Sequence, residues 1–239
     1  MTLLPLPDDW TRALCVVAHP DDLEYGGAAA IARWTREGKE VAYLLVTRGE
    51  AGIDGMTPDE CARVREAEER ASAAVVGVEH VEFLDGHTDG IVEYGLPLRR
   101  DLALAFRRLR PELIMSINFR ESFGGASFNM ADHRNTGLAI LDAARDAGNR
   151  WVFDGDDAAG PEPWSGVRYV AFSGAPNSTH AVDVTDTIDI GVASLREHAA
   201  YIDGLGQEFD PDAFLRGNAR GAGEAFGCEY AVGFELFVL

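Results

Sequence analysis

Residues 13–22 read Ala-Leu-Cys-Val-Val-Ala-His-Pro-Asp-Asp. Six apolar or small residues in a row, cut off by His19-Pro20, have the length and β-branched content of a strand buried on both faces. The residue before a proline is pushed into extended backbone, so the strand ends at His19 and the chain turns there. Strands of this kind need both faces covered. The following segment, Gly26 to Gly38, supplies a helix: Ile31, Ala32, Trp34 and Thr35 recur at helical spacing, and Gly38 is a suitable stop.

Working outward, the same alternation repeats. Val41–Val46 is a second buried strand, Pro58–Val75 a long charged helix, and His80–Leu84 a third strand. Leu96–Leu109 reads as a helix closed by Arg110-Pro111, and Leu113–Ile117 as a fourth strand. Arg134–Ala147 reads as a helix with Asp132 as N-cap and Gly148 as stop. Past the Asp-, Gly- and Pro-rich loop 154–166, strands at Val167–Phe172 and Ala181–Val184, a helix over Asp186–Ile202 and a strand over Tyr230–Val238 follow. The expected fold is α/β, a Rossmann-like, mostly parallel sheet with helices on both faces. A C-terminal lobe completes one domain over residues 1–239.

The composition narrows the function. A net charge of −19 opposes binding to phosphate backbones and to anionic membranes, so neither nucleic acid nor a membrane is an expected partner. Cys15, Cys61 and Cys228 form no CxxC pair and give neither a zinc knuckle nor a disulfide framework. No signal-peptide pattern and no apolar run of spanning length is present, so the expected location is cytoplasmic.

Chemistry concentrates at the first strand's carboxyl end, where open α/β sheets bind ligands. His19 and Asp22 sit three residues apart in a turn stiffened by Pro20, close enough to reach one cation, with Asp21 beside them. His133 falls after the fourth strand, at the end of the loop 118–132. His19, Asp22 and His133 would make a His₂Asp site that retains a water, with Asp21 as general base. The donor set is borderline, which points to zinc, exchangeable with iron(II) or cobalt(II). Taken singly, each residue also reads as a turn, a cap or a surface histidine; their convergence at two strand ends favours the site. His19, Asp21 and His133 also spell the 2-His-1-carboxylate pattern of non-haem iron oxygenases, but that pattern is commonly carried by jelly rolls. A nucleotide-binding reading would want G-x-G-x-x-G after strand one, where this chain has carboxylates. A metal-binding module without activity is the remaining alternative.

The motif AHPDDLEYGG (18–27) resembles the opening of the LmbE/PIG-L family of N-acetylglucosaminyl deacetylases. Thr47-Arg48-Gly49-Glu50, Arg65 with Glu68, Thr88-Asp89-Gly90 and Asp132-His133-Arg134 are similar to further family segments, with weaker likeness through Val182–Thr185 and the helix holding His198. The resemblance implies a Rossmann-like hydrolase of N-acylated amino sugars that holds zinc on His19, Asp22 and His133 and uses Asp21 as base. It also implies substrate contacts at Arg48, Glu50, Arg65 and Asp89 and a small-molecule amino-sugar partner; the oligomeric state is left open, a homo-oligomer included. The sequence departs from the family in one place. The first His of the family's HxxH is Met130 here, and a nearby oxyanion-binding Tyr is Phe128. Neither can donate a strong hydrogen bond, which leaves His87 and His198 as candidate donors.

Overall fold

A computed structural model describes residues 2–153, 160–206 and 208–239. In chain order the elements are β1 (Leu4–Pro5), β2 (Arg12–Val17), α1 (Asp22–Gly26), α2 (Ala28–Arg36), β3 (Glu40–Leu45), α3 (Pro58–Val75), β4 (His80–Phe83), α4 (Leu96–Leu109) and β5 (Leu113–Ile117). Then come the hairpin β6 (Ser122–Gly124) and β7 (Ser127–Phe128), α5 (Ala131–Asp146), β8 (Tyr169–Ser173), β9 (His180–Asp183), α6 (Ile188–Arg196), α7 (Ala199–Gly204), α8 (Pro211–Phe226) and β10 (Ala231–Val238).

The main sheet has the order β1-β9-β10-β8-β5-β2-β3-β4. β2 pairs in parallel with β3 and β5, β3 with β4, and β5 with β8, whereas β10 runs antiparallel between β8 and β9. Along β2 the side chains alternate between two cores, as a doubly covered strand requires. Ala13, Cys15 and Val17 join one core with α2 residues such as Ile31 and Trp34. Leu14 and Val16 join the other with Leu102 and Phe106 of α4 and Ile140 of α5. Each such fully buried aliphatic side chain stabilises the fold by roughly 1.5–3 kcal/mol relative to exposure. From β2 the chain winds first to β3 and β4 on one side, then returns to β5 on the other. The carboxyl ends of β2 and β5 therefore flank the switch point of the sheet, where a crevice forms.

The mostly parallel α/β architecture matches expectation, and the four N-terminal strands lie where their apolar runs place them. Five details differ. The expected Gly26–Gly38 helix is observed as α2 over Ala28–Arg36, preceded by the separate short α1; between them a Cβ at Gly27 would stand 1.9 Å from Met115 Cε, so a larger residue there would displace the Met115 side chain. Asp132 is not the N-cap of α5. Met130 holds that position, and Asp132 lies inside the first turn with its carboxylate turned to the site. The expected Asp186–Ile202 helix breaks at Glu197–His198 into α6 and α7. The strand expected from Val167 begins at Tyr169. The helix at 211–226 has no counterpart among the expected elements, because Gly217, Gly221 and Gly223 disguise its period; Asp210 caps it by accepting from the Asp212 amide. Of the loop 154–166, residues 154–159 lie outside the described residues.

Candidate metal centre and active site

The turn after β2 is built around an unusual backbone. Asp21 has φ 92°, a left-handed value rare for a non-glycine residue, and stands at the N-terminal end of α1. The conformation is held from several directions. The Asp22 carboxylate accepts from the His19 amide at 2.9 Å, the Glu69 carboxylate accepts from the Asp21 amide at 3.1 Å, and Thr47 Oγ1 donates to the Ala18 carbonyl at 2.8 Å. Strain of this kind, of order 1–3 kcal/mol, persists only where the surroundings over-determine it.

The turn brings His19 and Asp22 to His133, carried by the first turn of α5. His133 Nε2 lies 3.0 Å from Asp22 Oδ1, and His19 Nδ1 lies 3.6 Å from Asp22 Oδ2. One donor atom from each of the three lies within 4.8 Å of the others, a group that could hold a metal ion. The opposite ring nitrogens are tied down. His133 Nδ1 bonds Asn129 Oδ1 at 2.8 Å, and His19 Nε2 faces Asp132 at 3.1 Å and Asp89 at 3.0 Å. With those nitrogens as donors, His133 Nε2 and His19 Nδ1 each turn a lone pair toward Asp22, the tautomers that metal ligation requires. These two imidazoles and one carboxylate fit a borderline divalent ion. Burial disfavours a charged His19, yet Asp132, Asp22 and Asp89 together raise its pKa well above the ordinary value. Burial would likewise raise Asp22, but His133 and His19 overrule it and hold the carboxyl far below its usual range.

Asp21 is paired with a different partner. Its Oδ2 lies 3.0 Å from Arg65 of α3, whose guanidinium also donates to the carbonyls of Pro20 and Gly49 and lies 4.2 Å from the centre of the Tyr201 ring. Burial pushes the Asp21 carboxyl up to about 6; Arg65 opposes that shift and the Asp22 charge adds to it. A carboxyl poised there can both take and return a proton near neutral pH.

The other expected contacts divide. Arg65 and Asp89 line a cavity of ≈ 960 Å³ that opens onto His19, Asp21, Asp22 and His133, whereas Arg48 and Glu50 are not among its lining residues. Arg48 pairs with Asp85 at 3.0 Å and Glu66 at 3.4 Å. Glu50 accepts from the Asp89 amide at 2.9 Å and so braces the loop that presents Asp89. Asp132 was missed as a site residue. Its carboxylate accepts from the Gly90 amide at 2.7 Å and the Val92 amide at 3.2 Å while facing His19, joining α5 to the loop after β4 and to the turn after β2. The signal was its place beside His133, which the capping expectation absorbed. Met130 lines the cavity and Phe128 is exposed with the Arg134 guanidinium over its ring. Neither His87 nor His198 lines it: His87 pairs with Asp101 at 2.9 Å and His198 is fully buried. Tyr25 and Tyr201 are among the residues that line it.

An α/β sheet with a His₂Asp cluster and a buried carboxyl at its switch point has the parts of a metal-assisted hydrolase. The chain belongs to the PIG-L family, described as GlcNAc-PI de-N-acetylase, whose family model matches residues 14–144, more than half the chain. It is 29% identical over 233 residues to diacetylchitobiose deacetylase of Thermococcus kodakarensis, covering 96% of this chain and 84% of the relative. It is 26% identical over 260 residues to the 1D-myo-inositol 2-acetamido-2-deoxy-alpha-D-glucopyranoside deacetylase of Kineococcus radiotolerans, covering 82% of this chain and 70% of the relative. Among solved structures, N,N'-diacetylchitobiose deacetylase from Pyrococcus horikoshii superposes with a TM-score of 0.86 at 25% identity, covering 96% of this chain and 85% of that one.

Proposed function

We propose that residues 1–239 act as one zinc-dependent N-deacetylase domain that hydrolyses the N-acetyl group of an amino sugar or of a metabolite containing one. The observation that carries this reading is the division of labour around the turn: His19, Asp22 and His133 converge as ligands while Asp21 is held off them, with its pKa raised to about 6. His19, Asp22 and His133 would hold a divalent ion, which would supply Lewis acidity and lower the pKa of a water bound to it. Asp21 accepts the proton of the attacking water and returns it to the departing amine, as a group titrating near neutrality can do in both directions. Arg65 keeps Asp21 in place, and Asp132 and Asp89 fix the tautomer of His19. Family membership and the deacetylase activities of the relatives support the choice of reaction.

The cavity favours a substrate larger than one sugar ring. Its volume lies at the upper end of the roughly 300–1,000 Å³ range of ligand pockets. Beyond the polar end it is walled by Tyr25, Phe214, Leu215 and Val232, surfaces suited to the apolar faces of sugars or to an attached group. Among the described residues no helix is long and apolar enough to cross a membrane. Three free thiols suit a reducing compartment such as the cytoplasm.

The test is direct. Zinc-loaded protein is incubated with N-acetylglucosamine, diacetylchitobiose and an N-acetylglucosaminyl inositol, and released acetate and free amine are measured. Equal release of both, lost on chelation and restored by zinc, is expected. No release from any of the three, by protein shown to hold zinc on His133, would return the chain to a metal-binding module without this activity.

A further inference from the structure

Next to Asp21, whose amide donates to Glu69, lies a second group of metal-ligating side chains. Glu24 of α1, Glu69 of α3 and His198, between α6 and α7, bring one donor atom each within 4.8 Å of one another. All three side chains are fully buried. None of the three lines the catalytic cavity except Glu24, whose carboxylate is inaccessible to solvent.

The cluster is short of partners. Glu24 Oε2, Glu69 Oε1 and both ring nitrogens of His198 are buried with no hydrogen-bond partner, and so is the Tyr43 hydroxyl. Two of the remaining atoms are accounted for: Glu24 Oε1 accepts from Ser72 Oγ at 2.6 Å, and Glu69 Oε2 accepts from the Asp21 amide at 3.1 Å. Two carboxylates share a single imidazole in a fully buried setting, and a buried charge that is only partly compensated costs several kcal/mol. The nearby guanidinium, Arg65, is already committed to Asp21 and to two carbonyls.

The separations say what would relieve that cost. His198 Nε2 stands 3.5 Å from Glu24 Oε2 and 3.7 Å from Glu69 Oε2. These are too long for direct hydrogen bonds, which run to about 3.2 Å. They are too short for a bridging water, which would hold two groups about 4.6 Å apart when bonded to each at about 2.8 Å. They are close to the edge of a tetrahedron about a cation with bonds of about 2.0–2.2 Å, an edge of about 3.3–3.6 Å. The catalytic trio shows a similar spacing, with His19 Nδ1 at 3.6 Å from Asp22 Oδ2.

We propose that Glu24, Glu69 and His198 form a second, fully buried site for a divalent first-row cation, distinct from the site on His19, Asp22 and His133. Its role is structural. By fixing the Glu69 carboxylate it anchors the acceptor of the Asp21 amide, and so holds the left-handed turn that aims the base. The Ser72 hydroxyl, in contact with Ser194 Oγ at 2.7 Å, orients Glu24 in turn. Because the site is sealed, the ion enters as the chain folds and leaves slowly.

Metal stoichiometry after folding in the presence of zinc tests this. Wild-type protein is expected to hold two zinc ions, the Asp22→Ala/His133→Ala variant one, Glu69→Gln one, and the triple variant none. Cobalt substituted into Asp22→Ala/His133→Ala should give a visible absorption that is lost when Glu69→Gln is added. Folded Asp22→Ala/His133→Ala that holds no zinc would overturn the proposal. So would Glu69→Gln that keeps the wild-type zinc content with an unchanged or raised melting temperature, since the cluster would then be neutralised by a proton alone. Should Glu69→Gln fail to fold, the Asp22→Ala/His133→Ala measurement decides the matter by itself.

Discussion

Two histidine–carboxylate clusters flank the Asp21 turn, one facing the cavity and the other sealed behind α1 and α3. In the first, every ring nitrogen has an assigned neighbour, and the ligand-side lone pairs face a space open to substrate. In the second, His198 Nε2 faces Glu24 and Glu69 at 3.5 and 3.7 Å, but neither ring nitrogen makes a hydrogen bond or reaches solvent. The same residue types thus serve different ends according to exposure: an open cluster can exchange water and substrate, while a closed one can only hold what it was folded around. Asp21 joins them, its side chain on Arg65 and its amide on Glu69.

The largest expected effect separates Asp21 from the open cluster it serves. Asp21→Asn keeps the shape of the side chain and leaves His19, Asp22 and His133 untouched, so zinc at that site should be retained while turnover falls ~10²–10⁴-fold. Metal analysis beside single-turnover rates would show it. Loss of the ion with the activity would place Asp21 among the ligands and erase the distinction between base and ligand.

Arg65 comes next, and the structure moves its expected effect from substrate binding to the base. With the guanidinium 3.0 Å from Asp21 and buried, Arg65→Ala leaves a buried carboxyl without its counter-charge. A loss of roughly 3–5 kcal/mol in stability is the usual consequence of breaking such a pair from one side. The Asp21 pKa should rise further, so the acidic limb of the rate profile should move to higher pH and kcat fall more than KM rises. A KM effect alone would restore Arg65 to the role of a sugar contact.

How far the two clusters could be read from the chain follows from their spacing. His19, Asp21 and Asp22 stand in one turn at the end of an apolar strand, and His133 follows another strand, so parallel-sheet logic alone brings them together. The sealed cluster has no such signature. Glu24 and Glu69 lie on helices with no spacing that marks them as partners, and His198 was expected within a continuous helix. Their burial depends on how α1, α3 and α6 meet, which no local pattern encodes. The same holds for Asp132, whose carboxylate turns inward because the Gly90 and Val92 amides await it. Breaking of the C-terminal helix at His198 and the antiparallel insertion of β10 are likewise decided by packing rather than by period.

Protons and metal should compete in the open cluster, with a measurable sign. In metal-free protein the folded-state pKa of Asp21 is raised from 3.8 to about 6 by burial, and that of His19 is raised above 6.5 by its three carboxylates. Both groups bind protons more tightly folded than unfolded, so stability is present at low pH and is lost as pH rises through these values. Asp22 works the other way, but only below its unfolded value of 3.8. Chelated protein should therefore be more stable at pH 5.5 than at pH 7.5, by on the order of 1–3 kcal/mol, and Asp21→Asn should flatten that slope. Zinc-loaded protein should show the reverse, because its ligands must be deprotonated to bind. Thermal denaturation across this range would show both signs; a chelated protein whose stability rises with pH would contradict the assignment.

The smallest expected effect lies at the rim of the open cluster, at Met130. Departure of an amine needs a proton, and the described cavity lining offers Asp21 and the tyrosine hydroxyls for it but no histidine other than the ligands. Met130 lines that cavity at the N-cap of α5, 41% exposed, so a side chain there already faces the site from the helix that carries His133. Met130→His should leave metal content unchanged and change kcat by only about 2–10-fold, well short of the ~10²–10⁴ of a sole general acid, because Asp21 already returns a proton. The basic limb of the pH profile should shift with it, as a second titrating donor enters the site. Met130→Leu, which keeps the volume and adds no donor, should match wild type. An unchanged profile for Met130→His would mean that the hairpin β6–β7 holds residue 130 too far from the leaving group, and Tyr25 and Tyr201, the hydroxyls across the cavity, would then be the donors to remove by substitution with Phe. Loss of metal in Met130→His would show instead that residue 130 packs against the ligands. The open cluster would then depend on its rim as closely as the sealed one depends on its walls.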